Sequence, residues 1–117
     1  INIMVHGSDF KDTAGRTVLL RGINVAGTSK LPINSPNTHT LEGFHDNTRD
    51  VSFVGRPFPL SEAPQHFRRL RCWGFNYIRL VITWEAVEHA GPGIYDRKYL
   101  EYLTKLVRIA KDFGINV

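Results

Sequence analysis

Residues 76–82 read NYIRLVI. In an extended chain, Ile78, Leu80 and Ile82 point to one face and Tyr77, Arg79 and Val81 to the other, so apolar side chains occur on both. A strand of that kind belongs in a sheet covered on both sides, the situation of parallel strands joined by helical crossovers. The flanking sequence supplies the helices. Ser61 is placed to cap a helix over 62–73, with Glu62 in its first turn and Pro64 tolerated there; Ala63, Phe67 and Leu70 form its apolar stripe and Gly74 ends it. HAGPG (89–93) is turn chemistry. Asp96 caps a second helix over 97–113, striped by Leu100, Leu103, Val107 and Ala110, and Gly114 closes it before a third strand starts at 115–117.

Upstream, residues 3–10 have mixed strand character, KDTAG (11–15) is turn-forming, and RTVLLRGINVAG (16–27) reads as strand. This predicts a hairpin over 3–20 feeding a buried strand over 19–25. A long loop over 26–60 follows, rich in Pro, Gly, Ser and Asn, with local order at Val51–Val54; loops of that length in a compact domain carry function or are disordered. The order is therefore a hairpin, then strand–helix–strand–helix–strand. That is an α/β chain, either a doubly wound sheet or the opening units of a (β/α)8 barrel. At 117 residues it is one small domain. It opens on Ile1 directly in strand pattern, shows no signal peptide, and reads as cut at both ends.

Composition narrows the chemistry. The formal charge is +4, but the basic residues are dispersed, and the only tight cluster, Arg68, Arg69 and Arg71, lies on a predicted helix face. No nucleic-acid module accompanies it. A single cysteine, Cys72, excludes a disulfide within the chain and a cysteine zinc cluster; at a helix end it reads as a small core residue. The five histidines form no metal-ligating motif. GINVAGTSK (22–30) imitates a phosphate loop, but Thr28 stands where the lysine must be and Gly22 lies within the strand. No dinucleotide fingerprint follows a strand.

Arg79 is the unusual residue. A guanidinium set into a covered strand must be paired, because an uncompensated buried charge is costly, and such an arginine clamps a carboxylate bidentately. The other reading is an arginine whose head reaches solvent at the strand end. Beyond that strand, Trp84 is either a ring on which a ligand packs or a core residue, and Glu85 and Glu88 follow it.

VLLRGINVAGTSKLP (18–32), the run from VSFVGRPFPL (51–60) through WGFNYIRL (73–80) to WEAVEHAGPGIYD (84–96), and YLEYLTKLVRIAKDFGINV (99–117) together resemble the N-terminal part of glycoside hydrolase family 5 enzymes. AGTSKLP and VSFVGRPFPL resemble the endoglycoceramidase-related branch, which acts on glucosylceramide or steryl glucosides. The likeness covers nearly all of the chain and is weakest across 33–50. It implies the N-terminal part of a (β/α)8 TIM barrel preceded by a β-hairpin, with a site at the C-terminal ends of the strands. It also implies a retaining mechanism with two glutamates, the acid/base in an Asn-Glu-Pro context. This chain contains no Asn-Glu-Pro, so the catalytic pair is expected elsewhere and the chain alone is expected to be inactive.

By the same resemblance, Arg79 supports the nucleophile and keeps it ionised. Lys30 contacts the sugar, its alternative being a solvated loop lysine. Trp84 lines the sugar subsite, Asn24 orders the rim of the first strand, and Glu85 falls on a turn without a chemical role. No metal or organic cofactor is implied. The implied partner is a β-glucoside of a lipid, with peripheral membrane-surface contact through that substrate and no nucleic acid. The branch and the lone cysteine suggest an intracellular site, cytoplasm or vacuole. Two competing readings are a family 5 endo-β-glucanase acting on polysaccharide and a non-catalytic α/β binding domain.

Overall fold

The computed structural model describes residues 2–33 and 51–117. It opens with two short strands, β1 (Met4–His6) and β2 (Asp9–Lys11), paired antiparallel with Val5 opposite Phe10. The sequence suggested one strand through 3–10 and a reversal at 11–15. The chain instead reverses first at Gly7–Ser8, where Gly7 adopts φ +61°, a conformation that costs glycine little. The Asp12–Gly15 turn is a second reversal, after which Thr17 bridges back to Lys11. Asp12 organises it: Oδ1 accepts from the Ala14 and Arg16 amides at 2.9 and 3.0 Å, and Oδ2 from Arg16 Nε at 2.8 Å. The Arg16 amide leads the interactions that hold this carboxyl below its ordinary range, against the opposing effect of its burial. Among the described residues, the hairpin packs against no other helix or strand.

The alternating part begins with β3 (Gly22–Val25), shorter than the predicted 19–25, and continues through α1 (Ala63–Cys72) to β4 (Tyr77–Leu80). β3 and β4 pair in parallel, with Gly22 beside Tyr77, Ile23 beside Ile78, Asn24 beside Arg79 and Val25 beside Leu80. Asn76 fixes the register from below. Its Oδ1 accepts from the Arg21 amide at 2.8 Å and its Nδ2 donates to Leu19 O at 2.9 Å. On the other edge of β4, Asn116 makes a parallel bridge to Tyr77, which is where 115–117 was predicted to begin a strand. The described residues form an α/β arrangement of parallel strands and helices, without closing a sheet on itself.

Gly22 has a packing reason to be glycine. A β-carbon there would lie 2.5 Å from the Tyr77 ring and 2.7 Å from the Tyr77 carbonyl oxygen. Any side chain would force the two strands apart.

The helices cover one face of this pair. Ile78, Phe67, Leu106 and Ile115 are buried together in one cluster, with Val25 and Leu80 half-buried against it. α1 starts one residue later than predicted: Glu62, not Ser61, is the cap residue, and no side chain bonds the first amides. Cys72, expected in the core, is exposed. Phe53, in the loop, is fully buried and meets Tyr99 edge-on at 6.3 Å, so the end of the loop is part of the core.

A short helix α2 (Trp84–Glu88), not anticipated in the sequence, follows β4, and α3 (Arg97–Asp112) completes the chain. Thr83 Oγ1 caps α2 by accepting from the Ala86 amide. The buried side of α3 is Tyr99, Tyr102, Leu106 and Ala110, while Val107, placed in the predicted stripe, is 40% exposed. The buried stripe is rotated because two tyrosines present their rings to the core; Tyr102 OH donates to Phe58 O at 2.5 Å. Burial, its leading cause, pushes both phenols up to about 12.

Asp96 caps α3, accepting from the Tyr99 amide at 3.0 Å and from His89 Nε2 at 2.9 Å. Burial pushes this carboxyl upward, but the bonds from His89 and the Tyr99 amide prevail, and it lies below the ordinary 3.8. A carboxyl depressed on folding contributes stability that is complete above its unfolded value and is lost as the pH falls through its folded one. Asp96→Ala is expected to cost about 1 kcal/mol at pH 7, with the gap to wild type shrinking as the pH falls below 3.8 in urea melts. Gly22→Ala is expected to cost about 1–3 kcal/mol through overpacking, read as a lowered denaturant midpoint.

Candidate functional site

The two faces of the β3–β4 pair differ in what covers them. Ile23, Val25, Ile78 and Leu80 share the face on which the helices pack; Gly22, Asn24, Tyr77 and Arg79 share the opposite one. On that second face lies an open recess of about 370 Å³ lined by Leu20, Gly22, Ile23, Asn24, Tyr77 and Arg79. Parallel pairing brings Asn24 and Arg79 side by side near the C-terminal ends of their strands. This is where parallel α/β sheets place their ligands, because the loops leaving the strands rise around that edge.

Arg79 is exposed and has no ion pair among the described residues. Of the two readings of Arg79, this chain shows the one in which the head reaches solvent, because no helix among the described residues covers its face. Its exposure removes buried-charge pairing as an argument for what the chain does. What remains is its position, a permanent cation beside an amide on an uncovered sheet face.

The loops leaving these strands carry the other predicted residues. Lys30 is exposed on a turn that follows β3. Trp84 begins α2 immediately after its Thr83 cap and is 76% exposed, so it is not part of the core that the described residues form. Its indole N–H donates to Glu88 Oε2, and Glu88 Oε1 accepts from the Gly93 amide at 3.0 Å. Glu88 thus ties the indole of Trp84 to the turn that leads into α3. Glu85, in the first turn of α2, is half-buried. The structure brings Asn24 and Arg79 together; Lys30 and Trp84 sit on the two loops above them, without a bond to either.

The sequence pattern did not single out Arg56, whose guanidinium reaches across the loop to the Lys30 turn. An arginine among prolines and glycines looks the same in sequence whether it is solvated or engaged. His39 and His45 lie outside the described residues. Among the described residues, no three His, Cys, Asp or Glu side chains converge as a metal site requires. None of the described helices is long and apolar enough to cross a membrane.

Comparison with known proteins gives this geometry a context. Residues 30–117 match the Cellulase (glycosyl hydrolase family 5) family. The chain is similar to a glucosylceramidase of Rhizopus delemar, 49% identical over 119 residues, covering 98% of this chain and 17% of the relative. It is similar to a glucosylceramidase of Aspergillus fumigatus, 48% identical over 119 residues, covering 100% of this chain and 15% of the relative. The crystal structure of Cryptococcus neoformans sterylglucosidase 1 superposes with a TM-score of 0.80 at 40% identity, covering 92% of this chain and 15% of that one. The chain thus spans about a sixth of the length of the curated relatives it matches.

Proposed function

The chain belongs to glycosyl hydrolase family 5, and from that premise we propose that it forms the first strand–helix units of a (β/α)8 barrel in a β-glycosidase acting on glucosides of lipids. The observation that carries this reading is the pairing of Asn24 with Arg79 on the uncovered sheet face, in a chain half identical to a glucosylceramidase. In a closed barrel that face is the interior, and the ends of β3 and β4 open onto the active site. The relatives, two glucosylceramidases and a sterylglucosidase, support a glycolipid substrate over polysaccharide.

The proposed chemistry is retaining hydrolysis. One glutamic acid protonates the leaving oxygen and a second glutamate attacks the anomeric carbon, after which water releases the sugar. The chain lacks the Asn-Glu-Pro context, so its own residues act around that chemistry. Arg79 donates N–H groups to the attacking carboxylate, lowers its pKa and holds it ionised. Lys30 donates to a sugar hydroxyl from the turn after β3. Trp84 offers an apolar ring to one face of the pyranose, its tilt set by Glu88. A lipid substrate brings the loops at this edge to a membrane surface. No metal or organic cofactor enters this scheme, and nucleic acid has no part in it.

Arg79→Lys in the whole protein keeps the charge and loses the planar fork. It is expected to lower kcat/KM about a hundredfold. The nucleophile's pKa then rises, so the acid limb of the kcat/KM profile moves to higher pH; an unmoved limb would remove Arg79 from this role. Pure 117-residue chain is expected to leave an aryl β-glucoside intact, and metal-independent turnover by it would overturn the placement of the catalytic pair. Side-by-side assays on steryl glucoside, glucosylceramide and cellulose oligomers separate the lipid reading from the polysaccharide one.

A further inference from the structure

Arg56 holds an unusual position in the loop between β3 and α1. Its Nη1 donates to Thr28 Oγ1 at 3.0 Å and its Nη2 to Pro32 O at 3.2 Å. Its Nε is buried and has no partner among the described residues. No carboxylate among the described residues pairs with it. A half-buried guanidinium whose acceptors among the described residues are neutral gives up part of its hydration there without an opposite charge in return. What the arrangement supplies is geometry. The planar fork spans two points of the chain, one on each side of Lys30.

The rest of the contact serves the same end. Thr28 Oγ1 also donates to Pro57 O at 3.2 Å, so this hydroxyl is used in both directions. The turn is closed by Ser29 N to Ala26 O at 2.8 Å and Leu31 N to Thr28 O at 3.1 Å. Gly27, at φ +48°, lies so near the Pro57 ring that a β-carbon would come within 3.3 Å of it. Ser29 is fully buried beneath. In this seated turn, Lys30 is exposed. A flexible lysine on a free loop would sample many positions; one whose neighbours on both sides are clamped presents its ammonium from a fixed root.

We propose that Arg56 is a positioning residue for substrate recognition: by bracketing Thr28 and Pro32 it sets the turn from which Lys30 reaches the sugar. This rests on the reading of Lys30 given above, and the experiment separates the two. In the whole protein, kcat and KM on an aryl β-glucoside and a steryl β-glucoside are measured for Lys30→Ala, Arg56→Gln and the double variant. Lys30→Ala is expected to lower kcat/KM about tenfold to a hundredfold. Arg56→Gln is expected to follow it with a smaller loss, mainly in KM, and to add nothing once Lys30 is gone. Arg56→Lys restores the charge without the fork and is expected not to rescue. If Arg56→Gln fails to fold, Thr28→Val removes the shared hydroxyl and takes its place in the cycle. If Lys30→Ala matters and the Arg56 loss is fully additive with it, the positioning role is wrong while the function stands. If Lys30→Ala changes nothing, the sugar contact falls, and the role of Arg56 with it.

Discussion

The parallel pairing of β3 with β4 is the constraint from which the rest of the arrangement follows. It sets Ile78 beside Ile23 on the face where α1 and α3 pack, and Arg79 beside Asn24 on the face they leave open. A slip of one residue would exchange the two faces and bury the guanidinium under the helices. Asn76 guards against that slip. Its side chain spans the Leu19 carbonyl and the Arg21 amide, and its own carbonyl accepts from the Asn116 side chain at 3.1 Å. One amide at the foot of the strands thus sets the height of the residues at their tips.

Residues 51–60, the end of the loop between β3 and α1, are less a connection than a second layer of the core. Phe53 is buried against Tyr99, Phe58 meets Phe67 at 5.8 Å, and the Phe58 carbonyl receives the Tyr102 hydroxyl. α3 is therefore joined to the loop as well as to α1. Movement of α3 would be felt by residues 53–58 and, through Arg56, by the turn that carries Lys30. The loop after β4 is organised more locally: Glu88 links Trp84 to Gly93, and Asp96 links His89 to the first turn of α3. Each rim loop is thus fastened by its own polar group, one cationic and the others anionic.

Much of the alternating architecture was legible from the sequence because its signals are short-range. Asp96 before a run of helical period, Gly74 and Gly114 after one, and β-branched residues in NYIRLVI each act within a few positions. The failures have physical causes of the same kind. α2 is too short for a period to register, so it read as a turn. The stripe of α3 was placed on Leu100, Leu103, Val107 and Ala110 because aliphatic residues read as more apolar than tyrosine, yet beside Ala110 the buried residues are Tyr99, Tyr102 and Leu106. Their rings carry the apolar area, and only one of their hydroxyls finds an acceptor. At the site, the roles of Arg79, Lys30 and Trp84 came from likeness to a family, and burial arguments alone left Arg79 between a paired clamp and the solvent-reaching head seen in this chain. Arg56 could not be read at all, since its partners Thr28 and Pro32 are remote in sequence and chemically neutral.

The contact between Gly22 and Tyr77 shapes the uncovered face in a further way. Because one strand offers only hydrogen at that level, the phenol ring of the other lies against the Gly22 backbone. The sheet is therefore paved unevenly: flat and aromatic at its foot, polar and cationic at its lip. Anything that enters from the lip passes from charge to the face of a ring.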